Sequence, residues 1–236
     1  MPNWTWNTLR VKKPAALRVQ ELVKGEKSSF DFNKLIPMPE SLDVVSGSTS
    51  DEALLVYHTG GKQTVPEMID YLKSTEAARK SSYAKAALEE LEKVNSTKGE
   101  SVFKIMVERV CAKKPEEMEE LKKLGDVLIE NMRLYGAPTW YEWCVNNWGT
   151  KWNACDTEVA DTGNSLQFEF TTAWAAPIPI FKELSKQFPD EDIDVEFRNE
   201  DGYENIYCLT YRDGEVIHEA VEIDEEYLEE IQQYME

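Results

Sequence analysis

The chain has little with which to build a metal or redox centre. It has two histidines, His58 and His218, and neither has a second ligand at helical or ribbon spacing. On a strand, His218 and its neighbour Glu219 would face opposite sides, so no metal ion is expected. The four cysteines, Cys111, Cys144, Cys155 and Cys208, form no CxxC motif and read as reduced thiols of a cytosol, with Cys144, Cys155 and Cys208 as small buried residues. No serine sits in a G-x-S-x-G elbow, and no Cys/His signature of a nucleophile is present. The turn Thr59-Gly60-Gly61-Lys62 lacks the full phosphate-loop spacing and reads as an ordinary turn. No apolar run approaches the roughly 20 residues of a membrane helix. The first six residues, Met1 to Trp6, show neither a basic nor an apolar leader region, so no signal peptide and no membrane partner are expected. Carboxylates are too numerous for a catalytic pair to be picked out by type. No catalytic residue, cofactor or metal is therefore assigned, and the balance is against an enzyme.

Carboxylates are abundant. Asp and Glu number 45 against 26 Lys and Arg, for a formal net charge of -19. The excess sits at one end, because Pro189 to Glu236 holds 18 acidic and 2 basic residues. Such a segment repels a phosphate backbone, which argues against direct nucleic-acid binding. Its plainest role is a solvated, solubilising face.

Periodicity indicates an α+β chain. Trp4, Thr5, Trp6, Thr8 and Val11 favour a strand, and Ala15 to Val23 a short helix stopped by Gly25. Residues 45–132 read as a helical insertion. Within it, Thr64-Val65-Pro66-Glu67 has capping-box spacing and opens a long helix to about Val94. Pro115 opens another, whose Met118, Leu121, Leu124, Leu128 and Met132 form one apolar stripe. Beyond the insertion, Thr139 to Trp148 reads as a helix and Thr150 to Val159 as a strand. Leu166, Phe168 and Phe170 alternate with polar residues, as do Ile193, Val195 and Phe197, and Tyr207, Leu209 and Tyr211. Ile178 to Phe188 is helical between them. Asp213-Gly214 marks a hairpin, and Asp224 caps a final helix. The order contains the β-α-β-β-α-β plan of a ferredoxin-like antiparallel sheet with helices on one face. Residues 1–44 and 133–236 would form that discontinuous domain, with 45–132 inserted and a C-terminal helix appended.

Tyr135, Trp140, Tyr141, Trp143, Trp148 and Trp152 crowd into 18 residues. Helical spacing of Trp140, Cys144 and Trp148 suits core packing. A nucleic-acid platform would want more than the nearby Arg133 and Lys151. The lysines and arginines between Lys73 and Lys93 are interleaved with glutamates, as on a solvated face.

At Asn3-Trp4 to Val11, at Phe32 to Pro39, and above all at Tyr135-Gly136-Ala137-Pro138-Thr139-Trp140-Tyr141-Glu142-Trp143 through Trp148-Gly149-Thr150-Lys151-Trp152, the chain resembles the YubB ferredoxin-like family. The resemblance covers about 1–40 and 133–212. It implies a ferredoxin-like domain, a plasmid or phage origin and a bacterial cytoplasm, and it carries over no functional residue.

The leading expectation is a non-enzymatic acidic interaction protein that binds a host protein with a basic surface, as an anti-defence factor or nucleic-acid mimic. The residues for this role are Asp190, Glu191, Asp192, Asp194, Glu196, Asp224, Glu225, Glu226, Glu229 and Glu230. One alternative is an RNA or single-stranded DNA module using the open sheet face, with Trp152, Tyr207 and Tyr211 as its aromatic platform. Another is an enzyme whose site is not readable from sequence.

Overall fold

The computed structural model describes residues 3–94, 101–227 and 229. In chain order the elements are β1 (Trp4–Lys12), α1 (Ala15–Val23), α2 (Ser48–His58), α3 (Val65–Ser74), α4 (Glu76–Lys80), α5 (Ser82–Lys93), α6 (Val102–Cys111), α7 (Pro115–Tyr135), α8 (Trp140–Trp148), β2 (Cys155–Asp161), β3 (Ser165–Ala173), α9 (Ile178–Gln187), β4 (Ile193–Asn199), β5 (Asn205–Arg212) and β6 (Glu215–Ile223). The chain divides into two compact units, one of Met1–Met38 with Tyr141–Glu236 and one of Pro39–Trp140. No helix among the described residues is long and apolar enough to cross a membrane.

The first unit holds one antiparallel sheet in the order β2-β3-β1-β4-β5-β6. Its first four strands have the ferredoxin-like order, and the β5–β6 hairpin extends one edge. The fold class is α+β. Strand alternation sets the two faces. On β1, Thr5, Asn7, Leu9 and Val11 are buried, while Trp4, Trp6, Thr8 and Arg10 point the other way. Leu9 lies opposite Phe168 on β3 and Val195 on β4, all buried. The helices α1 and α9 cover this face with Ala15, Ala16 and Val19 and with Ile180, Phe181 and Leu184. Phe30, Phe32, Phe168, Phe170 and Phe181 interlock there. Each fully buried side chain of this size contributes about 1.5–3 kcal/mol. The hairpin turn is Asp213-Gly214, at φ of +48° and +79°, the pair of left-handed residues that a two-residue loop between twisted strands requires.

The second unit is helical. Its core contains Leu54, Leu55, Val56, Met68, Leu72, Leu91, Val107, Val110 and Leu128. The helices α2 and α7 approach closely at Gly125, where a Cβ would stand 2.8 Å from the Ala53 carbonyl oxygen. The buried Glu52 carboxylate is held by Lys113 Nζ at 3.3 Å and Arg109 Nη1 at 3.9 Å, as a buried charge requires. The single helix expected from Thr64 to Val94 is instead three. Thr75 and Ser81 take extended backbone angles and interrupt it, and Ser81 caps α5 by accepting the Ala84 N–H. The Thr64 hydroxyl donates to the Glu67 carboxylate at 2.6 Å instead of capping the backbone. The final helix is described only in part: Glu225 to Tyr227 and Glu229 are helical, and the rest lies outside the described residues.

Candidate functional site at the aromatic end of the sheet

Trp4 and Trp6 are two residues apart on β1, so both project from the face that α1 and α9 leave open. Trp6 is 40% exposed. Its ring meets Tyr203, in the loop after β4, edge to face at 5.1 Å. Tyr203 in turn touches Tyr227 at 4.9 Å. Arg198 lies over the Tyr203 ring, 5.2 Å from its centroid, and donates to Asp224. Asp224 also accepts the Tyr227 N–H, and these two bonds hold its carboxyl below the usual carboxylate range.

On the other side of Trp4 stands Trp152, at 6.2 Å. The ammonium of Lys151 then faces three rings at once: Trp152 at 4.8 Å, Trp174 at 5.0 Å and Tyr141 at 5.6 Å. Trp174 directly follows β3, is 43% exposed and takes φ of +82°, a region bulky residues rarely enter. Three backbone ties fix this corner. The Trp174 N–H donates to the Asn3 carbonyl at 2.8 Å, and the Thr150 hydroxyl and the Lys151 N–H both donate to the Ala173 carbonyl, at 2.6 and 3.4 Å.

Carboxylates rim the row. Glu200 accepts the Trp4 N–H at 2.8 Å, Asp201 accepts from Asn3, and Asp156 accepts from Thr171, the residue opposite Trp6. The surface therefore offers two exposed indoles, half-buried phenol rings beside them, two cations already seated on rings, and negative charge around them. That chemistry suits cation–π and charge-assisted contacts with another molecule.

The acidic residues expected to form one docking face are strung along β4. Asp190, Glu191 and Asp192 precede the strand, Asp194 and Glu196 lie on it, and Asp224 pairs with Arg198 near its far end, about 20 Å from Asp192. Many are neutralised within the fold. Glu191 faces Arg18 at 3.8 Å, Asp192 binds Arg212 at 2.6 Å, and Glu196 binds Arg10. Asp194 accepts from Thr210 at 2.8 Å. Glu225, Glu226 and Glu229 are exposed, and Glu230 lies outside the described residues. Other carboxylates line the two sheet edges: Asp156, Glu158 and Asp161 on β2, and Glu215, Glu219 and Glu222 on β6. Charge there deters strand-to-strand association.

The expected aromatic platform is also redrawn. Trp152 lies in the bends before β2, not on a strand, and it alone joins the row. Tyr211 pairs with Ile193 on the helix-covered face and is 0% exposed, its hydroxyl pushed up to about 12 mainly by burial. Tyr207 shares that face and stacks on Phe197 at 4.9 Å. Trp6, Tyr141, Trp174 and Tyr203 lie outside the expected platform. Trp6 carries a sequence signal in the alternation around Thr5 and Tyr141 in the aromatic cluster of 135–152, whereas Trp174 and Tyr203 carry none.

Other chemistry is sparse. No group of three His, Cys, Asp or Glu able to hold a metal occurs among the described residues. Burial pushes the Cys144 thiol up to about 12, and Cys111, Cys155 and Cys208 are raised as well, so none is set up as a thiolate nucleophile. The helical unit contains a cavity of about 630 Å³ bordered by His58, Tyr71, Thr75, Ser81, Lys122 and Asp126. His58 there stacks on Tyr83 at 5.0 Å, and burial lowers its pKa.

Residues 147–235 match the family described as the ferredoxin-like domain in Api92-like protein. No curated protein matches the chain. Among solved structures, protein api92 from Yersinia pseudotuberculosis is 14% identical, with a TM-score of 0.42 over 93% of this chain and 98% of that one. The matched family is ferredoxin-like and of unknown function, and no activity comes with it.

Proposed function

We propose that this chain is a non-enzymatic binding protein that docks a cationic segment of a protein partner on the aromatic end of its open sheet face. The observation that carries this reading is the row of rings from Tyr203 through Trp6 and Trp4 to Trp152 and Trp174. It already seats Lys151 and Arg198 and is rimmed by Glu200, Asp201 and Asp156. Trp and Tyr anchor interfaces because they bury large apolar area at small entropic cost. A basic partner also matches the net charge of -19, which steers its approach at low salt. Mimicry of nucleic acid by a continuous acidic face is less well supported, since internal ion pairs divide that face. The resemblance to the YubB family adds a mobile-element origin and a bacterial host protein as the partner.

Single-stranded nucleic acid is a second reading. It is favoured by Lys151, which stands among three rings and forms no ion pair with a carboxylate among the described residues. One titration separates the two. The full chain is mixed with an Arg/Lys-rich peptide, an acidic peptide of equal length and a mixed-sequence oligonucleotide, and tryptophan emission is followed. Saturation by the basic peptide alone supports the protein-partner reading. Saturation by the oligonucleotide alone replaces it with the second.

A further inference from the structure

We propose that Tyr141, Trp152 and Trp174 form a cage for an alkylammonium group, with Lys151 as its internal occupant and gate. The inference deepens the docking reading, on which it rests, by naming the group of the partner that is recognised: a lysine or methyl-lysine side chain.

Three segments distant in sequence build the cage. Tyr141 comes from the first turn of α8, Trp152 from the bends before β2, and Trp174 from the end of β3. Their rings surround one ammonium at 5.6, 4.8 and 5.0 Å, within the range at which a ring face attracts a cation. Tyr141 and Trp174 are set edge to face at 5.9 Å, interplanar angle 86°, and so form two walls at right angles.

Walls and occupant are held differently. The wall from Trp174 is tied by its backbone N–H to the Asn3 carbonyl and, through the Ala173 carbonyl, to the Thr150 hydroxyl. Its left-handed backbone is a conformation that a bulky residue keeps only where the surroundings over-determine it. Packing of helix and sheet does not call for that ring, which is 43% exposed. The occupant is a four-carbon stem with free rotors, and no carboxylate anchors its ammonium among the described residues. Such a side chain can leave for water without disturbing the walls, so the empty cage presents three ring faces to an incoming ammonium. A methylated ammonium sheds its hydration more readily than that of Lys151 and competes well for the rings. Tethering gives Lys151 a high effective concentration, so it acts as a gate that sets the affinity for outside cations.

The test is a titration of the full chain with tetramethylammonium chloride, with sodium chloride as the ionic control, read by indole N–H shifts of Trp152 and Trp174. Lys151→Ala is expected to bind at least tenfold tighter than wild type, with shifts confined to those indoles. Lys151→Arg keeps a cation in the cage and is expected to bind like wild type. Trp174→Ala on the Lys151→Ala background is expected to remove binding, with an unchanged melting curve showing that the fold persists. Equal affinity of wild type and Lys151→Ala, or shifts away from the cage, overturns the proposal. Trp6→Ala lies outside the cage, so it keeps tetramethylammonium binding in the Lys151→Ala chain even if the basic peptide fails to dock. A dead peptide titration with a live cage therefore overturns only the docking reading, and the reverse overturns only the cage.

Discussion

Trp6 on β1 and Tyr203 in the loop after β4 meet edge to face at 5.1 Å with an interplanar angle of 89°. This contact carries the aromatic row from the central strand out to Arg198 and Tyr227. Aromatic pairs of this geometry contribute about 0.5–1.5 kcal/mol beyond their area. A double-mutant cycle on Trp6→Ala and Tyr203→Ala, read by urea unfolding, is expected to give a coupling in that range. A coupling near zero would mean that the loop is not held by this pair.

Asp224 links stability to pH. Its folded pKa is depressed by the Tyr227 amide and by Arg198. A depressed carboxylate contributes stability that is present above its unfolded pKa and is lost as pH falls through the lower folded value. Asp224→Asn should therefore lower the melting temperature at pH 7. The gap from wild type should close as pH drops below the ordinary Asp value of about 3.9. Melting curves of both chains between pH 7 and pH 2.5 check this, and a gap that widened in acid would contradict it.

Asn131 is buried and fully used. It accepts from the Ser41 hydroxyl at 2.7 Å and donates to the carbonyls of Ser41 at 2.7 Å and Pro138 at 3.0 Å. Asn131→Leu leaves the half-buried Pro138 carbonyl without its donor, at a cost of about 1–3 kcal/mol for a buried group left unpaired, while the exposed Ser41 can turn to water. Denaturant unfolding of the variant should show a loss of about that size. A loss below about 0.5 kcal/mol, typical of surface changes, would show that the network carries little.

Gly125 lets α2 and α7 touch. A methyl group there would meet the Ala53 carbonyl oxygen at 2.8 Å and Tyr57 Cβ at 2.9 Å. Helix propensity alone favours Ala over Gly by about 1 kcal/mol. The clash reverses the sign, because overpacking costs about 1–3 kcal/mol or more. Gly125→Ala is expected to destabilise the chain in a thermal melt, and a stabilised variant would show that the helices can separate freely.

Most of the sheet was legible because burial imposes a period of two. The alternation at Leu166, Phe168 and Phe170 and at Ile193, Val195 and Phe197 marks β3 and β4, and α1 spans the residues expected of it, Ala15–Val23. Alternation says which residues share a face but not which face the helices cover, and Tyr207 and Tyr211 were assigned to the wrong one for that reason. β2 was expected from Thr150, yet the Thr150 hydroxyl is tied to Ala173 and bends follow, so the strand begins at Cys155. That shift moves Trp152 off the sheet. Trp174 and Tyr203 lie just outside strand ends, and only the assembled strand order places them beside Trp152 and Trp6. The carboxylates of the last 48 residues were visible as a count. Their pairing with Arg10, Arg18, Arg198 and Arg212 is tertiary and has no signature in the sequence.

The most direct test compares two sets of changes in one binding assay. Affinity for an Arg/Lys-rich peptide is measured at several salt concentrations for wild type, for Trp6→Ala/Trp174→Ala, and for Glu225→Lys/Glu226→Lys. Loss of the two indoles is expected to weaken binding by about tenfold or more, as for anchoring aromatics. The charge reversal is expected mainly to flatten the salt dependence. Full affinity without the indoles, with binding abolished by the charge reversal, would contradict docking on the rings and return the docking surface to the acidic C-terminal residues.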